Sequence, residues 1–477
     1  MAEGDIDLLS IRRGSVTAPA GCGKTQLIAD SLIRHTDRKP ILILTHTNAG
    51  VSVLRSRLER AGVPSRSYRL ATLDGWALRI LNTFPVRSGI DISHLALNDP
   101  RSDYPAIKRA AAALFEGKHL DDIIDASYVR VIVDEYQDCG HEQHRVVSHL
   151  STVIPTVVLG DPMQEIFSWQ GPHPHWDHDV CSTFSSAGEL TKPWRWIRAG
   201  APAFGEWLLE ARAILVAGGR IDLRTAPPEV EWVELDGSDD ETRQRKACNV
   251  RPPNPDGKVL IMAAGMNRAL QRRVAKQTPG AVTVEAVDLT DVITFAGSVD
   301  LDQPGDLDTV LEFASEVTTN VDKGGLRSRI AIIERGSSRK EATAVELAAL
   351  DYKADGSAEN LVRLLLALEN NQGARTFRPE ILGACVQALR SCTPGIPDAF
   401  LNAAVRIREQ GRMIGRRVPR RAVGSPLLLK GLEADVAVIL DAEQFDSNRA
   451  RNTKNLYVAL TRGSRKLVVC SSSPLVG

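Results

Sequence analysis

Two short segments carry residues whose types and spacing suit work on a phosphate chain. The first is Ala18-Pro-Ala-Gly-Cys-Gly-Lys-Thr25, preceded by GSVT and followed by the helix-forming QLIADSLIRH. A glycine-rich turn that opens a helix aims backbone N–H groups and the positive helix end at anions. Ala20, Gly21, Cys22, Gly23 and Gln26 would line such a cradle, Lys24 would reach the terminal phosphates, and the Thr25 hydroxyl would ligate Mg²⁺. The second segment is Val131-Ile-Val-Asp134-Glu135-Tyr-Gln-Asp138, an apolar run ending in adjacent acids. Asp134 at the strand tip would share the Mg²⁺, and Glu135 would orient and deprotonate an attacking water. A solvated acidic turn needs no hydrophobic strand feeding it, so the two segments read together as one hydrolytic centre.

Such a centre needs elements that bring distant parts of the chain together. Ile41 to Leu44, Val129 to Val133 and Thr156 to Leu159 are short apolar runs without alternation, each ending at a polar residue. That pattern suits strands buried on both faces, as in a parallel sheet. Between them lie helical stretches such as AGVSVLRSRLERAG, apolar at Val51, Leu54 and Leu58. Ligand sites in such sheets gather at the carboxyl ends of the strands, where this sequence has its glycines and acids. Asp236 to Lys258 is polar and proline-rich, and reads as an exposed, irregular connection. A second strand–helix unit begins with VLIMAA and NRALQRRVAKQ, and LVRLLLAL near Leu361 reads as a buried helix. A third sheet signal comes late, in DVAVIL before Asp441 and in RKLVVCSS. The expectation is an α/β protein of two parallel-sheet units with helical material inserted in each.

Composition narrows the class. A chain of 477 residues should hold two to four domains, and 43% hydrophobic with 25% charged residues is globular. Lysine plus arginine and aspartate plus glutamate both number 59, so any grip on nucleic acid must come from local patches. Seven scattered cysteines with no C-x-x-C argue against a disulfide scaffold, a zinc ribbon or an iron–sulfur cluster, and fit a reducing cytoplasm. With no signal-peptide pattern and no long apolar run, no membrane association is expected.

The phosphate loop, the DEYQD block and the order of the blocks that follow resemble superfamily 1A helicases of the UvrD/Rep type, from Thr17 to Val469. The resemblance implies two tandem RecA-like domains with small, mainly helical insertions. Residues 1–190 would be the first domain, with an insertion at about 76–126. Residues 191–300 and 422–477 would form the second, and 301–421 a helical insertion. THTNAGVSVLRSRL resembles a block that contacts single-stranded DNA, through Thr47 and Asn48. ATLDGWALRIL resembles the next DNA-contact block, with Thr72 and Trp76, although Asp74 stands where many relatives have histidine. VVLGDPMQEIFSWQGP implies that Gln164 senses the γ-phosphate and Trp169 stacks on a base, with Gln170 replacing the usual arginine. LTKPWRW implies that Arg195 touches the γ-phosphate and that Trp194 stacks on adenine. SPLLLKGLEADVAVIL keeps Lys430 in place, with Gly431 and Glu433, which would serve the nucleotide, and Ser425, which would contact DNA; Leu427 replaces a histidine. LYVALTRGSRKLVV carries the arginine, Arg462, expected to stabilise charge on the γ-phosphoryl. In this picture the loop and the acids lie on the first lobe, and Arg195 and Arg462 on the second. No glutamine precedes Gln26, so the usual adenine-reading residue is missing.

The implied cofactors are ATP and Mg²⁺, the implied partner is single-stranded or tailed duplex DNA, and the implied polarity is 3′-to-5′. The modest insertions also resemble the compact helicase-like subunits of Gabija-type anti-phage systems, which work beside a separate nuclease. Two rivals stay open: an ATP-dependent DNA-sensing subunit for a partner nuclease, and a phosphate-loop enzyme unrelated to nucleic acid. Among weaker features, Arg406 to Arg421 could track a phosphate backbone or be a solvated, ion-paired face. HPHWDHD, from His173 to Asp179, has metal-ligand residue types but reads better as a polar loop.

Overall fold

The computed structural model describes residues 6–97, 99–167, 173–264, 267–285, 289–301, 303–393, 398–411, 419–445 and 449–477, without the side chains of residues 100, 101, 409–411 and 449–452. The architecture is α/β, with two six-stranded sheets flanked by helices, as two RecA-like domains require. The chain forms two compact units: 1–232 with 442–467 and 473–477, and 233–441 with 468–472. Residues 191–232 and 442–467, read from the sequence with the second domain, group with the first unit.

The first sheet is built from β1 (Arg13–Thr17), β2 (Ile41–Thr45), β3 (Tyr68–Thr72), β4 (Arg130–Val133), β5 (Thr156–Gly160) and β6 (Ser186–Glu189), in the order β3-β2-β4-β5-β1-β6. All its pairings are parallel. Every residue of β2, β4 and β5 is buried, which accounts for their unbroken apolar pattern. Helix α1 (Lys24–Ile33) follows β1, α2 (Asn48–Arg60) follows β2 and α3 (Leu73–Thr83) follows β3, so each helix starts at a carboxyl end of the sheet. Thr47 and Thr72 cap α2 and α3 by accepting hydrogen bonds from Gly50 N and Gly75 N, both at 3.0 Å. β3 is an edge strand that its mixed pattern YRLAT left illegible, half polar and only partly buried.

The second sheet contains β8 (Val230–Glu234), β9 (Val259–Met262), β10 (Ala281–Thr283), β11 (Arg421–Gly424), β12 (Ala434–Ile439) and β13 (Gly463–Ser471), in the order β10-β11-β9-β12-β13-β8. A small antiparallel pair joins β7 (Ile221–Asp222) to β14 (Leu475–Val476). Between β10 and β11 the chain makes a helical module whose core runs from Val292 to Ile407. Phe295 stacks on Phe313 with ring centroids 4.0 Å apart, and LVRLLLAL lies in the helix Ala358–Glu369 with Leu361, Leu364, Leu365 and Leu368 buried.

The segment Asp236 to Lys258 is not irregular throughout. Asp240–Cys248 is a helix, with Asp240 and Glu241 in its first turn and Arg245 and Lys246 in its last. That charge order complements the helix dipole, and Gln244 docks it by donating to Asp441 Oδ1 at 2.5 Å. The prolines act only after the helix ends.

Candidate nucleotide site and nucleic-acid contacts

The phosphate loop sits on the carboxyl end of β1, anchored by Ala18 N donating to Gly160 O at 2.8 Å. Gly21 and Gly23 take φ values of +72° and +91°, a region that costs most side chains about a kcal/mol or more. Space excludes them too. A Cβ on Gly21 would stand 2.4 Å from the Trp196 ring, and one on Gly23 would stand 3.0 Å from Trp194. The LTKPWRW block is thus folded directly over the loop, and Arg195 N donates to Gly21 O at 3.0 Å. Ala20 N donates to the Tyr457 hydroxyl at 3.3 Å. Burial, with Asp161 nearby, keeps that hydroxyl protonated well above the ordinary tyrosine range. Cys22 is buried, and burial pushes its thiol up to about 12, so it is no thiolate at neutral pH. Thr25 is half-buried in the first turn of α1, while Gln26 spends its amide on Asp30 at 2.8 Å.

Lys24 Nζ lies 3.0 Å from Asp134 Oδ1 and 2.6 Å from Glu135 Oε1. Burial disfavours the ammonium, but the two carboxylates more than offset it, and Lys24 titrates above its usual value. Burial also raises Asp134, against the opposing pull of Lys24. These contacts are ionic: neither Lys24 Nζ nor Asp134 Oδ1 has a well-directed hydrogen bond, although both are buried. Glu135 holds a left-handed backbone at φ 56°, the kind of local strain that clusters where a side chain must be aimed.

Behind the acids lies a polar network. Gln137 Nε2 donates to Glu135 Oε2 at 2.6 Å, while its Oε1 accepts Asp161 N at 3.1 Å. Asp161, fully buried, accepts from Gln164 Nε2 at 3.0 Å and pairs with Arg212 Nη2 at 3.0 Å. Gly160 leaves room for this amide, since a Cβ there would lie 2.6 Å from Gln137 Oε1. Gln137, Asp161, Arg212, Tyr457 and Trp196 were not singled out from the sequence for this site. Gln137 and Asp161 stand inside the DEYQD and GDPMQ blocks; Arg212, the one basic residue of the helix Pro202–Val216, gave no signal.

Arg195 Nη1 donates to Thr461 O at 2.6 Å. Arg462, 2% exposed, donates from Nε to Val458 O at 2.8 Å and from Nη2 to Thr461 Oγ1 at 2.9 Å. The two arginines therefore meet at Thr461, inside the same compact unit as the phosphate loop. Trp194 is 38% exposed, with Lys192 Nζ 4.9 Å above its ring and the Arg198 guanidinium at 5.9 Å. Such a ring, edged by cations, suits stacking on a base.

Thr47 and Asn48 are exposed and Thr72 is half-buried, all at the carboxyl ends of β2 and β3. Asp74, in place of histidine, pairs with Lys108 at 3.4 Å and accepts from Gln143 at 2.7 Å. Trp76 is a correction: at 2% exposure, stacked on Phe115 with centroids 5.3 Å apart, it is a core ring with no face for a base. Helical periodicity from Leu73 through Ala77 to Leu81 turns it inward. Trp169 and Gln170 lie outside the described residues. Gly431 (φ 81°), Glu433 and Ser425 belong to the second unit. Ser425 caps a short helix by accepting from Leu428 N at 3.3 Å, and with Leu427 it lines a cavity of about 130 Å³.

In the loop that carried metal-ligand residue types, His173 pairs with Glu165 at 3.0 Å and Asp179 accepts from His175 N at 2.7 Å. Those side chains serve the loop's own turn. Of Arg406 to Arg421, residues 412–418 lie outside the described residues; Arg420 pairs with Asp256 at 2.6 Å, and the Arg421 guanidinium bonds the carbonyls of Cys248 and Val250.

Among the described residues no helix is long and apolar enough to cross a membrane. No curated protein matches the chain significantly. Residues 97–180 match the family model of the UvrD/REP helicase N-terminal domain, a stretch that holds Asp134, Glu135, Gln137, Asp161 and Gln164. With that match, a phosphate loop facing those acids and two six-stranded sheets, the chain is similar to the UvrD-like proteins of helicase superfamily 1A.

Proposed function

We propose that the chain is a DNA-dependent ATPase that translocates 3′-to-5′ on single-stranded DNA and opens tailed duplex. The observation that carries this reading is Lys24 held between Asp134 and Glu135, with Glu135 fixed from behind by Gln137. Lys24 Nζ and Asp134 Oδ1, buried without directed hydrogen bonds, together with Thr25 next to Lys24 in the chain, are the donor set that suits a triphosphate with Mg²⁺. Thr25 and Asp134 would hold Mg²⁺, which neutralises phosphate charge when bound. Glu135 takes the proton of the attacking water, and Gln164, held by Asp161, contacts the γ-phosphate. Trp194 stacks on the base, and with no glutamine reader upstream the preference for ATP is weak. Arg195 and Arg462 leave their carbonyl partners to meet the γ-phosphoryl, a role worth roughly 10³–10⁵ in rate for such arginines. Gly431 and Glu433 assist at the nucleotide, while Thr47, Asn48, Thr72, Trp169 and Ser425 grip DNA. Residues 1–190 are assigned to the first RecA-like domain, 191–300 and 422–477 to the second, with 191–232 and 442–467 as the parts of it that group with the phosphate loop, and 301–421 to the helical insertion. The protein is assigned to the cytoplasm.

The test is hydrolysis rate against single-stranded DNA concentration, with strand displacement on 3′-tailed and 5′-tailed duplexes. Stimulation by DNA, unwinding from the 3′ tail alone, and loss of turnover with retained ATP binding in Glu135→Gln are expected. Hydrolysis indifferent to DNA would overturn the reading. A second reading, an ATP-dependent DNA sensor that licenses a partner nuclease in anti-phage defence, is favoured by the burial of Trp76, which removes one DNA contact. Stimulated hydrolysis without displacement by the isolated chain would select it.

A further inference from the structure

The stretch from Arg38 to Arg69 holds seven basic residues and one acid, Glu59, in a chain whose charges balance overall. Its arginines collect at one place in the fold. β2 and β3 pair in parallel with Ile41 opposite Tyr68, so Arg38 before β2 and Arg66 before β3 stand side by side at the amino edge of the first sheet. α2 leaves the carboxyl end of β2 and returns the chain to the start of β3, which brings Arg57 and Arg60, in its last turn, to the same edge. Arg69 follows on the edge strand itself. Arg38, Arg60, Arg66 and Arg69 are exposed and Arg57 is half-buried.

These arginines lack the acids that hold others in this chain. Arg272, Arg327, Arg329, Arg363 and Arg378 each face a carboxylate. Among the described residues Arg38, Arg57, Arg60, Arg66 and Arg69 make no ion pair, and the side-chain hydrogen bonds of Arg60 and Arg69 go to backbone carbonyls of Ser56, Ser65 and Tyr68. Arg57 and Arg60 complement the α2 dipole, but Arg38, Arg66 and Arg69 lie on other elements and that role does not account for them.

We infer that this amino-edge surface is a second nucleic-acid contact, one that grips the phosphate backbone of duplex DNA. Arginine forks suit phosphate oxygens, and Ser65 and Ser67, between them, add hydroxyl donors of the kind that meet a backbone. The one aromatic of the stretch, Tyr68, is 8% exposed, so the surface offers no stacking platform for unpaired bases. It lies at the opposite end of β2 and β3 from Thr47 and Thr72, about 20 Å away along a helix of 13 residues. The contact is independent of hydrolysis, and goes beyond the motor reading.

The test compares the full chain with Arg57→Gln/Arg60→Gln/Arg66→Gln and with a control of equal charge loss, Arg335→Gln/Arg339→Gln/Lys340→Gln. Binding of a blunt 30-base-pair duplex is measured without nucleotide over a salt series, alongside a short oligo-dT and basal ATP hydrolysis. Each lost phosphate contact should lower the log–log salt slope by about 0.9, so the first variant should lose roughly two to three units of slope and at least tenfold in affinity at low salt. Oligo-dT binding and basal hydrolysis should stay at wild-type level, and the control should keep its slope. An unchanged duplex slope in the first variant, or an equal fall in the control, overturns the inference. Because no nucleotide is present, hydrolysis that ignores DNA would sink the motor reading and leave this result standing.

Discussion

Replacing Arg378 by methionine should loosen the helical module from the second sheet by an amount that depends on pH. Arg378 is 1% exposed and donates to Glu285 Oε1 at 2.7 Å and Oε2 at 2.9 Å, and it also pairs with Asp291. Glu285 follows β10, whereas Arg378 and Asp291 begin helices of the module. Methionine keeps most of the volume, so the cost falls on the acids. Asp291 is 35% exposed and retains Arg272 at 2.5 Å, so its share is under about 1 kcal/mol. Glu285 is 13% exposed and would keep only the Thr283 hydroxyl, and a buried charge stripped of its partner costs about 3–5 kcal/mol. Burial pushes the Glu285 carboxyl up, and Arg378 more than reverses this, so in the wild type it titrates below the ordinary glutamate range. The stability it contributes is therefore present above the unfolded value and is lost only as pH falls through the lower folded one. In the variant the upward push of burial is opposed only by the Thr283 hydroxyl and the charge of Arg272, so the deficit should be full at pH 8 and shrink towards pH 5 as Glu285 takes a proton. All seven tryptophans lie at or before Trp232, so intrinsic fluorescence does not follow this unit. Hydrogen exchange of residues 281–285 and 375–382 does, and should accelerate by roughly 10² to 10⁴ at pH 8 after correction for intrinsic rates. A deficit below tenfold, or one equal at pH 5 and pH 8, would refute the reasoning. Arg378→Met with Glu285→Leu should recover most of the protection.

Gln137→Leu frees the Glu135 carboxylate while leaving its charge, so kcat of hydrolysis should fall about 10- to 100-fold with ATP binding retained; equal losses in kcat and binding would mean the network holds the fold instead. Trp194→Ala should raise the KM for ATP and GTP alike, by about tenfold for a lost stacking contact, with kcat little changed. A KM shift confined to ATP would show a base-specific reader elsewhere.

The sequence by itself determined the chemistry-bearing blocks and the strands that carry them. Ile41–Thr45, Arg130–Val133 and Thr156–Gly160 are buried on both faces, so their apolar runs leave no competing period, and the loop and acids at their ends are local in sequence. Thr47 and Thr72, named from the family resemblance, sit at strand ends and cap the helices that follow, a local role that calls for a small polar residue. Tertiary structure decided what depends on distant neighbours. Trp76 is inside because Phe115 covers it; Arg212 matters because Asp161 is buried beneath it; Arg195 and Arg462 meet because Thr461 offers both its carbonyl and its hydroxyl. Chain order could not reveal that residues 442–467 pack with the phosphate loop, since long-range packing is settled by which apolar faces are left to cover once each sheet has formed. The basic edge shows both halves of this division. Its arginines are plain in the sequence, but only the β2–β3 register gathers them at one end of the sheet.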